Sequence, residues 1–183
     1  MAKKDVAVIV GSFRKGSINE ILARALARLG EDRMAFTFCR IDDLPLFCQD
    51  IEDPPPPAVE RLKAEVSAAQ GVLVVTPEYN RSIPAALKNA LDWANRPARR
   101  NDWAGKPVAI TGATRGNIGT AVAQQGLRQT LVASGAVVMG MPTVYFTYRD
   151  GLIAEDFSIT DDGTAKFLKG FMEKFDDWIE TNG

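Results

Sequence analysis

The sequence predicts an α/β fold in which helices cover both faces of a doubly wound, parallel β-sheet. Short β-branched apolar runs alternate about five times with stretches whose apolar residues recur at helical spacing. Several of these runs are apolar on both faces, which is typical of strands inside a parallel sheet. The 183 residues show no composition break, internal repeat or long linker, so we expect one domain over residues 1–183.

Apolar spacing defines the first elements of the fold. Val6 to Val10 form a nearly uninterrupted apolar run that stops at Gly11, as expected of a buried strand. A stripe at helical spacing follows from Ile18 to Leu29, and Gly30 ends it. Residues 34–41 alternate imperfectly, which favours a weaker strand at an edge of the sheet.

The middle of the chain adds a proline-rich connection and three further elements. Four consecutive prolines, Pro54 to Pro57, cannot lie inside a helix or a central strand, and they predict a stiff segment that leads into the next helix. That helix has its apolar stripe at 59–69. Val72 to Val75 is a second buried strand, which Pro77 ends, and a helix with its apolar face at 83–91 follows.

The last part of the chain repeats the alternation. Residues 107–111 read as a third short strand, 118–132 as a helical stretch, and 136–139 as a further strand that ends before Pro142. Apolar residues at i, i+3, i+4 and i+7 spacing over 167–179 predict a C-terminal helix docked on the sheet.

Composition excludes several classes of function. Lys and Arg number 22 and Asp and Glu number 23, a net charge of −1, whereas proteins that neutralise nucleic-acid phosphates carry a basic excess. The chain has no histidine, which rules out Ser-His-Asp and Cys-His catalysis and zinc sites with histidine ligands. No stretch approaches the ~18 apolar residues of a membrane span. We therefore expect neither a nucleic-acid partner nor a membrane.

The cysteines indicate the compartment. Cys39 and Cys48 do not form a Cys-x-x-Cys pair, and two thiols cannot build a structural zinc site. We interpret them as small apolar side chains in a reducing compartment. We therefore expect a cytoplasmic protein without a metal site.

The residues after the first buried strand suggest an anion site. Segment 11–19 reads Gly-Ser-Phe-Arg-Lys-Gly-Ser-Ile-Asn and joins that strand to a helix. Free N–H groups and the positive end of the helix dipole favour a phosphate there, and Arg14 can bind its oxygens bidentately. The spacing is neither that of a P-loop nor Gly-x-Gly-x-x-Gly. The alternative is that Ser17 only caps the helix, with Arg14 solvated.

Polar and aromatic residues also follow the second buried strand. Segment 76–84 reads Thr-Pro-Glu-Tyr-Asn-Arg-Ser-Ile-Pro, and its backbone and side chains can face a planar ring. The alternative is an ordinary turn, with Ser82 as N-cap and Pro84 early in the next helix.

A glycine-lined turn follows the third strand. Segment 111–119 reads Thr-Gly-Ala-Thr-Arg-Gly-Asn-Ile-Gly and is similar to the T-G-x-x-x-G-x-G turn of short-chain dehydrogenases, with one residue too many before the last glycine. Those enzymes place this turn after the first strand and need a Tyr-x-x-x-Lys pair, which the sequence lacks. The other interpretation is a turn that merely fits the sheet.

Taken together, the three loops form a specific pattern. Gly-Ser-x-Arg-x-x-Ser-x-Asn, Leu-Pro-Leu at 44–46, and Thr-Pro-Glu-Tyr-Asn-x-Ser-x-Pro with Leu-Lys-Asn-Ala at 87–90 resemble the NAD(P)H-dependent FMN reductase family. Within the family the chain looks most like the chromate and quinone reductases, from about residue 5 to 180. The resemblance implies a flavodoxin-like fold with a five-stranded sheet, bound FMN, NADPH or NADH as co-substrate, and a homodimer or tetramer.

The resemblance also assigns roles residue by residue. The positions that match the phosphate loop are Ser12, Arg14, Ser17, Ile18 and Asn19. The positions that match the loop along the isoalloxazine edge are Pro77, Glu78, Tyr79 and Asn80. The positions in the third flavin-contacting turn are Thr114, Arg115 and Gly116. No catalytic side chain is implied, because the flavin carries the chemistry and the protein positions and polarises it.

Two departures from the family pattern concern selectivity and assembly. Chromate-reductase relatives have Ser-Pro-Gly where this chain has Thr-Arg-Gly at 114–116, which puts the ring contacts and the substrate selectivity in question. Thr143 stands where tetrameric relatives often have Glu, which argues against a tetramer but not against a dimer. We expect Trp93 and Trp103 to offer aromatic surface to a second copy.

The implied activity is that of an oxidoreductase whose single pocket serves NAD(P)H and then a small-molecule acceptor, with ping-pong kinetics. Quinones, chromate, azo and nitro compounds and free flavin are all open as acceptors. Arg96, Arg99 and Arg100 are candidates for a 2′-phosphate site, although a solvated basic loop is the simpler interpretation. Two alternatives stay open: a flavodoxin-like electron carrier that does not use NAD(P)H, and a flavin-free nucleotide-binding protein.

Overall fold

The computed structural model describes residues 2–183 of the chain. Its strands are β1 (Lys4–Val10), β2 (Met34–Cys39), β3 (Gly71–Val75), β4 (Pro107–Thr114), β5 (Val137–Val138) and β6 (Val144–Thr147). Its helices are α1 (Ile18–Gly30), α2 (Pro57–Ala68), α3 (Ala85–Ala94), α4 (Ala121–Ala133) and α5 (Asp162–Asn182). Strands and helices alternate along most of the chain, as the apolar pattern predicts.

The strands form one parallel sheet in the order β2-β1-β3-β4-β5. Strand β3 is buried along its whole length, and β1 is buried from Val6 to Val10. Strand β2 lies at the edge and alternates between buried and more exposed residues. This confirms a doubly wound parallel sheet with its weaker strand at one edge.

The fifth position of the sheet holds two short strands. Strand β5 pairs with the first residues of β4, and β6 pairs with its last residues, also in parallel. The predicted strand at 136–139 is therefore wrong in extent, because pairing stops after Val138 and resumes only at Val144. Pro142 cannot donate to a strand ladder, whereas the Val-Tyr-Phe-Thr run at 144–147 has high β propensity.

Helices pack on both faces of the sheet. On one face, α1 and α5 enclose a core that includes Val8, Leu22 and Phe171. On the other face, α2, α3 and α4 enclose a second core that includes Ile9 and Leu62. Successive residues of β1 therefore point into opposite cores, which explains why the strand is apolar at every position from Val6 to Val10.

Helix α4 begins later than its apolar stripe suggests. The predicted helical stretch starts at Ile118, but the helix starts at Ala121. Gly119 and Thr120 have φ values of 58° and 67°, which a right-handed helix does not include. Strand β4 in turn continues to Thr114.

Trp93 and Trp103 are fully buried, which corrects the expectation that they offer surface to a second copy. The Trp93 indole N–H donates to the Pro45 carbonyl at 2.8 Å, and that of Trp103 donates to the Leu91 carbonyl at 3.1 Å. The Phe47 ring packs edge-on against Trp93, with centroids 5.0 Å apart. Residues of the same chain therefore cover Trp93, the tryptophan of α3.

Three further features concern membrane-spanning helices, metal-binding groups and thiols. No helix within residues 2–183 is long and apolar enough to cross a membrane. The same residues contain no group of three or more His, Cys, Asp or Glu side chains that could hold a metal ion. Both cysteines are free; Cys39 is buried and Cys48 is exposed.

Candidate functional site

Three loops meet at the carboxyl end of the sheet, because β1, β3 and β4 are parallel neighbours that all end there. We define the first loop as residues 11–17, the second loop as residues 76–84 and the third loop as residues 115–120. Backbone hydrogen bonds of 2.9 Å join their starts: Gly11 N–H donates to the Val75 carbonyl and Thr76 N–H to the Thr111 carbonyl. The structure thus brings the predicted site segments together.

Two glycines allow the backbones to approach closely at this end. A Cβ on Gly112 would overlap the Thr76 carbonyl oxygen, and a Cβ on Gly11 would lie 3.1 Å from the Pro77 ring. A larger residue at either position would push the second loop away from its neighbours. The spacing between the loops therefore depends on these glycines.

The first loop presents backbone donors. Within residues 2–183, the N–H groups of Ser12 to Gly16, Ile18 and Asn19 donate to no other protein group. The Ser17 hydroxyl accepts from the Glu20 N–H at 3.4 Å and caps α1, as the capping interpretation expects. The remaining donors lie at the positive end of α1 and suit a phosphate group.

Arg14 differs from most arginines of this chain. No carboxylate of residues 2–183 lies within 4.0 Å of its guanidinium, which donates to the neighbouring Lys15 carbonyl at 3.1 Å. The side chain is exposed. An exposed guanidinium without a carboxylate, next to unused N–H donors, suits an anionic ligand better than a structural role.

The Asn19 side chain joins the first loop to the end of β4. Its amide nitrogen donates to the Ala113 carbonyl at 3.1 Å, and its amide oxygen accepts from the Ala113 N–H at 2.8 Å. The residue is buried. Since both ends of the amide are engaged, the side chain positions α1 against the strand that leads into the third loop.

The second loop contains a two-residue hairpin. Tyr79 and Ser82 exchange two backbone hydrogen bonds of 3.0 Å. Between them, Asn80 and Arg81 have φ values of 51° and 61°, and positive φ at both positions is typical of a type I′ turn. Ser82 therefore closes the hairpin, and the alternative that it caps α3 is wrong, because that helix begins at Ala85.

The Glu78 carboxylate joins the second loop to α4. One oxygen accepts from the N–H groups of Val122 and Ala123 at 3.1 and 3.0 Å, and the other accepts from Arg81 at 2.9 Å. Burial alone would raise the pKa of Glu78, but the Ala123 N–H, Arg81 and the Val122 N–H outweigh it and hold the pKa below its ordinary 4.5. Glu78 is therefore charged at neutral pH and fixes the second loop to the start of α4.

The third loop is held by its side chains and leaves backbone donors unused. Arg115 forms two hydrogen bonds with Asp150, at 2.9 and 2.7 Å, and its guanidinium lies 5.5 Å from the centre of the Tyr148 ring. The Thr114 hydroxyl donates to the Gly116 carbonyl at 2.8 Å. Within residues 2–183, the N–H groups of Arg115 and Gly116 donate to no other group. Asp150 and Tyr148 could not be found from the sequence, because nothing in their local pattern marks them.

An open cleft of about 420 Å³ lies between the second and third loops. The residues that line it are Glu78, Arg81, Thr114, Gly116, Asn117 and Ile118. Its volume falls in the ordinary range for small-molecule sites, about 300–1,000 Å³. Arg115, which the sequence placed in the site, is not among the residues that line the cleft.

The donor set fits flavin mononucleotide. The molecule has a phosphate at one end and a flat ring with carbonyl oxygens at the other. The first loop offers unused N–H groups and Arg14 for the phosphate. The cleft offers a ring-sized space, with the Gly116 N–H at its border for a ring oxygen.

The arginines that follow α3 are held by carboxylates of this same chain. Arg96 and Arg100 each form two hydrogen bonds with their partners, and Arg99 forms an ion pair. The partners are Glu52 for Arg96, Asp53 for Arg99 and Glu60 for Arg100. Since internal carboxylates already balance their charges, the arrangement does not favour a 2′-phosphate site there.

Comparison with known proteins agrees with this donor set. A family model described as NADPH-dependent FMN reductase matches residues 5–150. A 2-hydroxy-1,4-benzoquinone reductase from Burkholderia sp is 43% identical over 174 residues, which cover 95% of each chain. The solved structure of FerB from Paracoccus denitrificans, described as a flavoenzyme NAD(P)H:(acceptor) oxidoreductase, is 47% identical with a TM-score of 0.96, covering 98% of this chain and 99% of that one.

A more distant structure shows the fold class. The flavodoxin, WrbA-like protein from Agrobacterium tumefaciens has a TM-score of 0.62 at 15% identity, covering 99% of this chain and 100% of that one. Together with the strand order, this likeness confirms the flavodoxin-like α/β fold. Because the family model matches most of the chain and both similar reductases cover nearly all of it, the chain belongs to the NADPH-dependent FMN reductase family.

Proposed function

We propose that the protein is an FMN-dependent oxidoreductase that takes electrons from NADPH or NADH and passes them to quinones. The observation that carries the proposal is the pairing of a phosphate-type donor set at the end of β1 with a ring-sized cleft between the next two loops. Relatives described as quinone reductases support the class of acceptor.

The first loop would hold the phosphate of FMN. The N–H groups from Ser12 to Gly16 and the guanidinium of Arg14 supply donors, and the positive end of α1 adds a favourable field. Ser17 and Asn19 contribute by fixing the start of α1, through the helix cap and through the bonds to Ala113.

The second and third loops would hold the ring. When bound, FMN supplies the redox chemistry, accepting a hydride from NAD(P)H and passing electrons to the acceptor. Glu78 fixes the second loop against α4, and the backbone N–H groups of Arg115 and Gly116 can stabilise negative charge at the ring edge. Tyr79 and Asn80 lie on the exposed hairpin of the second loop.

We expect donor and acceptor to use the cleft between the second and third loops in turn, because both must reach the same flavin ring. Initial rates at several fixed quinone concentrations should give parallel double-reciprocal lines. Lines that intersect would show that donor and acceptor bind together, and would contradict one shared pocket.

We also propose a cytoplasmic homodimer. The two free cysteines support a reducing compartment. Ile118, Val122 and Tyr145 are each more than two-fifths exposed beside the third loop, and such side chains favour contact with a second copy. Light scattering at micromolar concentration should give a dimer mass, and a monomer mass would contradict the dimer.

One experiment tests the redox proposal. Flavin-free protein is titrated with FMN, then reduced anaerobically with NADPH or NADH, and finally mixed with a quinone, with chromate, azo, nitro and flavin acceptors as further arms. We expect saturation at one FMN per chain, loss of the flavin absorbance with a nicotinamide, and its return with quinone. FMN binding without reduction by either nicotinamide would indicate an electron carrier, and absence of FMN binding would contradict the site.

A further inference from the structure

Arg81 stands at the mouth of the cleft between the second and third loops. It is the second central residue of the hairpin in the second loop, and it lines the cleft together with Glu78 and Gly116. Its side chain is 67% exposed, whereas that of Glu78 is 4% exposed. A cation therefore sits on the solvent side of the cleft, above a buried carboxylate.

The backbone at Arg81 favours a different residue. Its φ of 61° lies in the left-handed region, and the second central position of a type I′ turn prefers glycine, as in Asn-Gly. Asn80 matches the turn, but Arg81 does not. A residue that opposes the preference of its own turn is a candidate for a functional role.

The ion pair with Glu78 leaves Arg81 available to a ligand. The Glu78 carboxylate already accepts hydrogen bonds from the N–H groups of Val122 and Ala123, at the positive end of α4. If the guanidinium turns away, the buried carboxylate therefore keeps two donors. The guanidinium itself is 67% exposed, so water can solvate it when it turns away from Glu78.

We propose that Arg81 binds a phosphate group of NADPH or NADH and so determines how tightly the hydride donor is held. This inference rests on the proposed function. The donor is the substrate that carries phosphates, whereas a quinone is uncharged. The FMN phosphate has its own donors in the first loop.

The test uses variants that separate charge from turn geometry. Arg81→Gly removes the cation and suits the turn, and Arg81→Lys keeps the charge without the planar fork. Arg28→Ala, the control, removes an exposed cation of α1 that pairs with Asp156. FMN-loaded proteins are reduced in a stopped-flow instrument with NADPH, with NADH and with uncharged N-benzyl-1,4-dihydronicotinamide. Binding of ADP-ribose and of its 2′-phosphate is measured by calorimetry, which needs no turnover.

We expect Arg81→Gly to raise the dissociation constants of NADPH, NADH and ADP-ribose about tenfold, as for loss of one charge-assisted hydrogen bond. Its melting temperature should be unchanged or higher, and its reduction by the uncharged donor should match the parent. Arg81→Lys should recover part of the affinity, and Arg28→Ala should behave as the parent. If Arg81→Gly loses affinity only for NADPH and for the 2′-phosphate of ADP-ribose, Arg81 binds the 2′-phosphate group. If it loses affinity equally for NADH, Arg81 binds the diphosphate.

Two results would overturn the inference. If Arg81→Gly impairs reduction by the uncharged donor as much as reduction by NADPH and NADH, Arg81 shapes the cleft rather than binding phosphate. Unchanged binding of ADP-ribose and both dinucleotides would remove the role altogether. If none of the donors reduces the parent protein, the proposed function fails, and the calorimetry with ADP-ribose still decides whether Arg81 binds a phosphate.

Discussion

The side chain of Asn19 and the backbone of Ala113 form a reciprocal pair of hydrogen bonds, at 3.1 and 2.8 Å, that joins the start of α1 to the end of β4. The first loop precedes Asn19 and the third loop follows Ala113, so this pair sets the distance between the two parts of the site. A side-chain amide thus occupies the place that a neighbouring strand would take.

Replacing Asn19 with Ala should destabilise the protein and weaken the binding of both FMN and riboflavin. The change leaves the N–H and carbonyl of Ala113 without partners in a buried place, which costs about 1–3 kcal/mol each. Urea unfolding measures the loss, and fluorescence titration of FMN and riboflavin should show similar weakening, because no phosphate contact is removed. Asn182→Ala, which removes an amide at the end of α5, is the control. Weakening of FMN alone would instead make Asn19 a phosphate ligand.

Glu78→Gln should lower stability at neutral pH and flatten its dependence on pH. The pKa of Glu78 is lower in the folded protein than its ordinary 4.5, so its contribution is present above that value and is lost as pH falls through the folded pKa. A negative charge at a helix start contributes about 0.3–2 kcal/mol. Urea midpoints of parent and variant should differ at pH 7 and converge in acid. Glu173→Gln, which changes an exposed glutamate, is the control. A difference in urea midpoint between the parent and Glu78→Gln that stays constant across pH would contradict the lowered pKa of Glu78.

Lys63→Ala should be among the more destabilising single changes. The Lys63 ammonium is buried and donates to Asp102 at 2.6 Å and to the Arg100 and Ala94 carbonyls at 2.6 and 3.3 Å. Breaking such a buried pair costs about 3–5 kcal/mol. The matched variant Lys88→Ala removes an exposed pair on α3 and should cost at most about 0.5 kcal/mol. Similar urea midpoints for the two variants would show that the Lys63 contacts contribute little.

The two cysteines should differ sharply in reactivity. Burial first, and then the Glu65 carboxylate, raise the pKa of the Cys39 thiol to about 12, so that it stays protonated at neutral pH. Cys48 is exposed at the start of a short 3₁₀ turn. A disulfide reagent should therefore modify Cys48 rapidly in the native protein, and Cys39 only after unfolding. Rapid reaction of both thiols in native protein, or of neither, would contradict the burial pattern.

Much of the fold was predictable because local apolar patterns carry it. Val72 to Val75 reads as a strand buried on both faces, and it is one. The proline run at 54–57 predicts a helix that begins where the run ends, and α2 begins at Pro57. The three loops fall on one edge because parallel strands must all end there.

Other features depend on contacts between residues far apart in the chain. Strand β6 is a strand only because it pairs with β4, beyond a break that contains Pro142. Trp93 is buried by a segment around Pro45, more than forty residues earlier. No local pattern shows that Arg96 faces Glu52. The sequence could therefore indicate where the site lies, but not which of its side chains the protein uses for its own structure.

Arg14 as a ligand of the FMN phosphate is the contact on which the proposed function depends most directly. Arg14→Ala removes a charge-assisted, bidentate donor, and bonds of this kind contribute about 1.5–3 kcal/mol. The dissociation constant of FMN should therefore rise about 10- to 100-fold, while that of riboflavin, which lacks the phosphate, should hardly change. Arg14→Lys should recover part of the loss, because it keeps the charge without the planar fork.

The decisive measurement is the titration of FMN and of riboflavin into flavin-free parent, Arg14→Ala and Arg14→Lys proteins, followed by flavin fluorescence. We predict that the preference of the parent for FMN over riboflavin is lost in Arg14→Ala and partly returns in Arg14→Lys. Equal losses for FMN and riboflavin, or no loss for either, would contradict it, because Arg14 would then support the fold or the ring and not the phosphate.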